Sequence, residues 1–353
     1  MVYNGNEWWR LRSTFQKSLT KVQDVRLFLP STDIIVNEFL SSFIGNGVLI
    51  NDFLPTISRL NLELTWAALF GKRLGCFHSD QLNKDSIFGR KCLKTPTYKR
   101  LEKCLNFIGK VVDDQLNKEI NSTEGNVIKN NEEVYSLINN YLKCQDVDLK
   151  DIRAMAEDLI LGGIDTTSYT ACFLIYHLAN NKTVQKLLKE EALKLLPNID
   201  SPVTSSVLND AIYARAILKE TFRLNPVATG ISRNLDKDTV FSGYLVPKGT
   251  LVITQNLVAC RLEKNFTDAE KFLPERWIRG SEVNNKVSPY LVLPFSHGTR
   301  TCIARRLAEQ NLLTFLLKVG RNYSLDWMGK ELGIVTPLIC KPDSYVSVAF
   351  ERW

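Results

Sequence analysis

Apolar residues recur at helical spacing from about Asp151 to Asn180, a rod of roughly 45 Å at 1.5 Å per residue. Its most apolar part, Leu159 to Ala179, is interrupted by Gly162, Gly163 and Asp165, so the spacing predicts a helix buried in protein and not a bilayer span. Such a helix needs a large core, and 353 residues of which 44% are hydrophobic supply one. Helical periodicity also covers Glu7 to about Leu19, Asp33 to Phe43, Ile57 to Leu69, Tyr98 to Lys118, Glu132 to Leu142, Val184 to Leu195 and Asn209 to Leu224, the last stopped by Asn225-Pro226. The polar stretch Glu119 to Asn130 reads as an exposed loop. From Thr239 to Leu257 short β-prone runs alternate with Gly243, Pro247 and Gly249, which predicts small sheets. A loop region follows to about Arg300, and Cys302 to Val319 is again helical by period. The expected fold class is mainly α with small β-sheets, in one domain.

The formal charge of +7, from 45 Lys and Arg against 38 Asp and Glu, favours an acidic partner over a basic one. The basic residues are dispersed, with no run of five, so no nucleic-acid partner is expected. Eight cysteines, at positions 76, 92, 104, 144, 172, 260, 302 and 340, show no C-x-x-C pair and no regular spacing. That argues against a disulfide framework and a zinc site, and suits a reducing compartment. His78, His177 and His297 lack metal-ligand spacing and read as structural or surface residues. The first ten residues hold neither an apolar signal core nor an Arg/Ser-rich presequence.

The strongest chemical signal is Phe295-Ser-His-Gly-Thr-Arg-Thr-Cys-Ile-Ala304, where Gly298 can bend the chain ahead of a helix that starts at Cys302. A thiolate at a helix start is stabilised by the terminal dipole and free N–H groups, and Arg300 and Arg305 add positive charge. Taken alone, Cys302 reads equally as a small buried hydrophobe. The whole run resembles the F-x-x-G-x-R-x-C-x-G/A loop of the cytochrome P-450 family, whose Cys ligates a heme iron. The resemblance implies heme b as cofactor, Cys302 as the axial metal ligand, Phe295 packed beside it, and Arg300 on a propionate. Ser296 and Ala304 stand where many members have Gly, and both are small enough to keep the loop.

Three further patterns gain meaning beside that loop. Glu220-Thr-Phe-Arg223 is an i, i+3 pair, which on a surface contributes only about 0.2–0.5 kcal/mol. In the family E-x-x-R joins the Arg of a later Pro-Glu-Arg segment, here Arg276, in a buried charge network, so Glu220, Arg223 and Arg276 are expected to meet. Gly162-Gly-Ile-Asp-Thr-Thr167 places two helix-weakening glycines beside an acid and a hydroxyl. By itself this is a polar notch in a buried helix, or a place for close approach or an opened hydrogen-bond ladder. The family's A/G-G-x-D/E-T motif crosses the distal face of the heme, which implies that Thr166 holds water and Asp165 relays protons. Trp8 and Arg12 share a helix face, as on any amphipathic helix. The family's W-x-x-x-R gives them a propionate contact, and Arg233 is a second candidate for it.

Arg215 and Lys219, i and i+4 on the helix of Glu220, read as a solvated basic face. Their context resembles the mitochondrial class, in which cations here and at Arg306 receive a 2Fe–2S ferredoxin of the adrenodoxin type, served by an NADPH-dependent reductase. Within that class, Pro289 to Gln310 is most similar to the insect ecdysteroid C22-hydroxylases. A lipophilic, sterol-like substrate is then implied beside O2, held by Gly162, Val227, Ala228, Thr229, Gly230 and Ile231, with localisation on the matrix side of the mitochondrial inner membrane. Family members begin well before the W-x-x-x-R helix, so the resemblance implies a P-450 fold lacking its N-terminal portion, through which peripheral membrane association would occur. Two alternatives stay open: a thiolate-heme enzyme that rearranges or dehydrates a lipid peroxide, and a non-catalytic heme-binding fragment.

Overall fold

The computed structural model describes residues 5–77, 97–124, 135–283 and 287–353. The chain opens with four helices, α1 (Gly5–Phe15), α2 (Lys17–Thr20), α3 (Val22–Arg26) and α4 (Leu29–Phe43), then β1 (Gly47–Ile50) and α5 (Phe53–Phe70). Helix α5 ends at Gly71, whose φ of 64° lets its N–H return to the Ala67 carbonyl. Next come α6 (Thr97–Glu124), α7 (Leu137–Leu142) and the long α8 (Leu149–Asn180). A reciprocal capping box starts α8: Asp151 N–H donates to Asp148 at 2.8 Å, and Asp148 N–H to Asp151 at 3.2 Å. Beyond it lie α9 (Lys182–Leu195), α10 (Ser205–Asp210) and α11 (Ile212–Leu224).

Short strands follow: β2 (Ser232–Asn234), β3 (Thr239–Phe241), β4 (Tyr244–Val246) and β5 (Leu251–Ile253), with β2 pairing β5 and β3 pairing β4, both antiparallel. Ser242 and Gly243, both at positive φ, close the β3–β4 hairpin as a two-residue loop. A short helix, α12 (Asn256–Ala259), and a 3-10 turn at Pro274–Trp277 lead to α13 (Arg305–Asn322). The C-terminal strands are β6 (Tyr323–Trp327), β7 (Ile334–Val335), β8 (Lys341–Pro342) and β9 (Val348–Arg352). Strand β9 lies between β1 and β6 in an antiparallel sheet, in the register Gly47↔Glu351 and Tyr323↔Arg352.

Helix α8 is long and apolar enough to cross a bilayer, yet it passes through the middle of the fold. Its first half, with Ile152, Met155, Ile160 and Ile164, packs in a cluster with Leu11 and Phe15 of α1, Val112 of α6 and Tyr141 of α7. Its second half, from Ala171 to Ala179, belongs to another cluster with Phe39 of α4, Leu188 of α9, Ile217 of α11, Phe315 of α13 and Phe350 of β9. The glycine and threonine stretch 162–170 falls at the seam between them, so the polar notch costs neither core its packing.

Several expected boundaries move. Glu119 to Glu124 is helical, because the buried Glu119 carboxylate accepts from Lys72 Nζ and Gln115 Nε2, each at 2.6 Å. The helix expected from Asn209 divides at Ala211: Glu191 of α9 accepts the Tyr213 and Ala214 N–H groups at 2.6 and 2.9 Å and caps α11 from a different helix. Cys302 lies three residues before its helix, which begins at Arg305. The α8 ladder runs unbroken through Gly162 and Gly163. The thiols of Cys92 and Cys104, His78, and the expected helix and loop positions 125–130 and 132–134 lie outside the described residues.

Candidate active site

A cleft of about 490 Å³ opens at the seam of the two cores, with Cys302 and Phe295 on one wall and Gly162 and Thr166 on another. The first wall is a tight loop. Cys302 N–H donates to the Phe295 carbonyl at 2.8 Å, and the Thr301 hydroxyl reaches the same oxygen at 3.0 Å. Ser296 and Gly298 take positive φ of 66° and 79°, which fits glycine at 298 and strains the serine at 296. Phe295 stacks edge-on against Phe222 of α11, with centroids 5.1 Å apart. The backbone is therefore locked while the Cys302 thiol stays open to the cleft.

Electrostatics alone do not hold Cys302 as a thiolate. Burial raises its pKa most, against the lowering effects of the Ala304 N–H, Arg12 and Arg305. Cys302, expected at the helix start, lies three residues short of it, so of the expected stabilising groups a backbone N–H and Arg305 act on the thiol and burial outweighs them. A bound cation would reverse the balance, because coordination deprotonates a thiol outright.

On the opposite wall, a Cβ added to Gly162 would meet nothing within 4 Å, so its face is open, whereas one on Gly163 would stand 3.3 Å from Thr65 Oγ1 of α5. The Thr166 hydroxyl donates to the Gly162 carbonyl at 2.8 Å, keeping its acceptor lone pairs for the cleft it lines. Asp165 lies outside the cleft lining; burial raises its pKa and Lys341 opposes that effect. The acid and the hydroxyl thus occupy successive helix faces, about 100° apart.

Cations collect along one rim. Arg300 and Arg233 line the cleft, and Arg233 donates to Ser296 Oγ and the His297 carbonyl, both at 3.2 Å. Trp8 lies behind the rim and supports it, with the Arg300 guanidinium carbon 3.8 Å from its ring centroid. Arg12 is buried, bonded to Gln16 at 3.1 Å, and close enough to Arg300 and Cys302 to feel both charges. Of the expected substrate wall, Gly162, Val227, Ala228, Gly230 and Ile231 line the cleft. Thr229 does not: its carbonyl instead accepts Leu257 N–H at 3.0 Å. Gly230 admits no side chain, since a Cβ there would stand 1.6 Å from the Thr254 carbonyl oxygen.

Behind the loop, Glu220, Arg223 and Arg276 meet. Arg223 grips both Glu220 oxygens, at 2.8 and 2.9 Å, Arg276 Nε donates at 3.2 Å, and Trp277 Nε1 and Leu273 N–H complete the carboxylate at 2.9 Å each. Arg223 also holds the carbonyls of Cys260, Ala269 and Lys271, so the charges are buried and nearly saturated. On the outer face of α11 and α13 a second hollow of about 270 Å³ gathers Arg215, Lys219 and Arg306 with Arg26 and Arg305.

Sequence reasoning missed Arg26, Ile339 and Asp158. The first two reach their sites only through tertiary contact. Asp158 was legible in principle, being one and two i+4 steps before Gly162 and Thr166.

An open thiol on one wall, a glycine-cleared helix face opposite and a cationic rim fit a flat, dianionic iron macrocycle: Cys302 would hold the metal, and Arg233 and Arg300 its carboxylates, while Arg12 and Trp8, expected at the same carboxylates, lie outside the cleft lining. Comparison with known proteins agrees. The cytochrome P450 family profile matches residues 2–342. Cytochrome P450 302a1, mitochondrial, of Drosophila melanogaster is 42% identical over 373 residues, covering 98% of this chain and 74% of that protein. Probable cytochrome P450 301a1, mitochondrial, of the same organism is 30% identical, covering 96% of this chain and 66% of that protein. The mitochondrial 1,25-dihydroxyvitamin D(3) 24-hydroxylase of Mus musculus is 31% identical, covering 96% and 69%. The chain thus spans about two thirds to three quarters of the length of these relatives.

Proposed function

This chain belongs to the cytochrome P450 family of heme-thiolate monooxygenases, and from that premise we propose that it is a mitochondrial member hydroxylating a sterol-like substrate with electrons from a 2Fe–2S ferredoxin. The observation that carries the reading is the juxtaposition, across one cleft, of the open Cys302 thiol and the Gly162–Thr166 face of α8. Bound heme supplies the O2 chemistry, in which one oxygen atom enters a C–H bond of the substrate and the other leaves as water. Cys302 would hold its iron as a thiolate, and Arg233 and Arg300 would orient the group through its carboxylates, with Trp8 bracing Arg300 and Arg12 adding positive charge from behind. Val227, Ala228 and Ile231 exclude water from the substrate and hold it by apolar contact. Thr166 holds a proton-donating water at the cleft, and Asp165, whose pKa burial raises, passes protons inward from its own face of the helix.

Glu220, Arg223 and Arg276 are structural, fixing the backbone behind the loop. Arg215, Lys219 and Arg306, joined by Arg26 and Arg305, form the docking surface for the acidic ferredoxin. Relatives named as mitochondrial support that location, and the similarity of Pro289 to Gln310 to insect ecdysteroid C22-hydroxylases supports an ecdysteroid precursor as substrate. The test is twofold. The reduced, heme-loaded protein with carbon monoxide should show the far red-shifted Soret band of thiolate ligation. Supplied with adrenodoxin-type ferredoxin, its reductase and NADPH, it should convert a 22-deoxy ecdysteroid to the 22-hydroxy product. A shorter-wavelength band would remove Cys302 as ligand, and turnover of a lipid hydroperoxide without ferredoxin would replace the monooxygenase reading.

A further inference from the structure

We propose that Arg10 is a positioning residue for the heme: it ties the turn of α1 that carries Trp8 to the start of α8, and so fixes the brace beneath Arg300. This rests on the reading of Arg300 as a holder of a heme carboxylate. The buried residues of α1 are Leu11, Arg12, Thr14 and Phe15, all beyond Trp8. Among the described residues, the turn bearing Trp8 therefore has no buried side chain of its own, and a helix end without such an anchor frays. Arg10 provides the anchor. Its guanidinium grips both Glu7 oxygens, through Nη2 at 2.6 Å and Nε at 3.1 Å. Across the fold it donates to the Asp146 carbonyl at 2.7 Å and to Asp151 Oδ2 at 3.0 Å.

The same Asp151 oxygen accepts the Asp148 N–H, so the far end of the tether is the capping box of α8. Asp151 is the shielded partner, with 16% of its side chain exposed against 39% for Arg10. A simple surface ion pair contributes little to stability and holds no fixed geometry. Arg10 differs, because its planar fork makes four hydrogen bonds to three groups and sets direction as well as distance. Two positions along a helix turn a side chain by about 200°, so Arg10 points away from Trp8. Helix α1 is thus held to α8 on one side and presents on the other the indole that lies 3.8 Å from the Arg300 guanidinium carbon. Without Arg10 the indole loses its fixed height below Arg300, and the cation loses its aim.

The test uses the heme-loaded full chain and follows heme transfer to excess apomyoglobin, with and without Arg300→Met. Arg10→Ala should speed release about fivefold in the parent chain and less than about 1.5-fold in the Arg300→Met background, because residues acting through one contact are not additive. The propionate bending band in the resonance Raman spectrum of the ferric protein should shift in Arg10→Ala, as it should in Arg300→Met. Arg10→Lys, which keeps the charge without the fork, should not restore the parent rate. Asp151→Asn removes the charge partner yet keeps a capping oxygen, and carries the same comparison if Arg10→Ala does not load heme. Equal acceleration in both backgrounds would make Arg10 a general stabiliser and overturn the proposal. Parent-rate release from Arg300→Met would sink the carboxylate reading of Arg300 and the proposal with it. Acceleration by Arg300→Met with none by Arg10→Ala or Asp151→Asn would refute the tether alone.

Discussion

At Cys302 the chain separates two demands that usually conflict: a backbone held rigidly and a side chain left open. The Cys302 N–H to Phe295 carbonyl bond and the positive φ at Ser296 and Gly298 meet the first, and the cleft meets the second. Burial then raises the thiol pKa, so the free group is held toward the neutral thiol and a bound cation would be what deprotonates it. Thr166 is the residue on which proton delivery should turn. Thr166→Ala removes the cleft-facing hydroxyl yet leaves the helix unbroken, since its bond to the Gly162 carbonyl is not part of the backbone ladder. The expected outcome is oxygen consumption within about threefold of the parent chain but most of it released as peroxide, checked by measuring peroxide and hydroxylated product together. Product formed in full proportion to oxygen consumed would take Thr166 out of the reaction.

Helices α8 and α11 carry the elements whose loss should be felt most widely. In α11, Glu220 is fully buried and takes five hydrogen bonds from Arg223, Arg276, Leu273 and Trp277. Glu220→Gln leaves two buried guanidinium groups with no counter-charge, a loss of about 3–5 kcal/mol. Urea unfolding of the heme-loaded protein should register it as a lower midpoint, along with poorer heme retention. In α8, His177 is stacked on Phe272 with centroids 4.3 Å apart and bonded to Asn225 Oδ1 at 2.6 Å. Burial, its largest influence, lowers its pKa from 6.5 to about 4. As pH falls through that window the unfolded chain binds a proton that the native chain refuses. Stability from neutral His177 is therefore complete above about pH 6.5 and declines toward pH 4, with a limiting slope of about 1.4 kcal/mol per pH unit. His177→Phe should flatten the stability profile between those pH values in equilibrium unfolding; an unchanged slope would assign the acid sensitivity elsewhere.

Across the whole molecule, α8 and α5 knit two hydrophobic clusters together, and the functional cleft lies where the clusters adjoin. Its cationic counterpart lies on the outer face of α11 and α13, where Arg26, Arg215, Lys219, Arg305 and Arg306 outnumber the one acid among the described residues lining a hollow, Glu309, which pairs with Arg305 at 3.1 Å. Exposed charges of one sign steer an acidic partner over about a Debye length and are screened by salt. Replacing Arg215, Lys219 and Arg306 together by Glu should raise the ferredoxin concentration for half-maximal reduction at least tenfold at low ionic strength, and shrink that difference at high salt. The substrate-induced Soret shift should be unchanged. Stopped-flow reduction at several ionic strengths measures both, and a salt-independent difference would mean a docking surface not built on charge.

The local patterns in the chain determined what local physics can determine. The α8 periodicity, the Phe295 to Cys302 loop, the small sheets and the i, i+3 pairing of Glu220 with Arg223 all depend on spacing and turn residues within a few positions. Only the fold brought Arg26 to Arg306 and Trp8 beneath Arg300, because those meetings join segments far apart in sequence; that of Arg276 with Glu220, 56 residues apart, is expected through the family pattern alone. The break at Ala211 belongs to the same class, its cap coming from Glu191 on another helix. So does the pairing of β9 with β1, since strand partners some 300 residues apart leave no periodic mark. Asp158 lines the cleft and Asp165 does not, although seven residues apart on α8 they lie within about 20° of one face, so the difference comes from what packs beside each and not from spacing or chemical type.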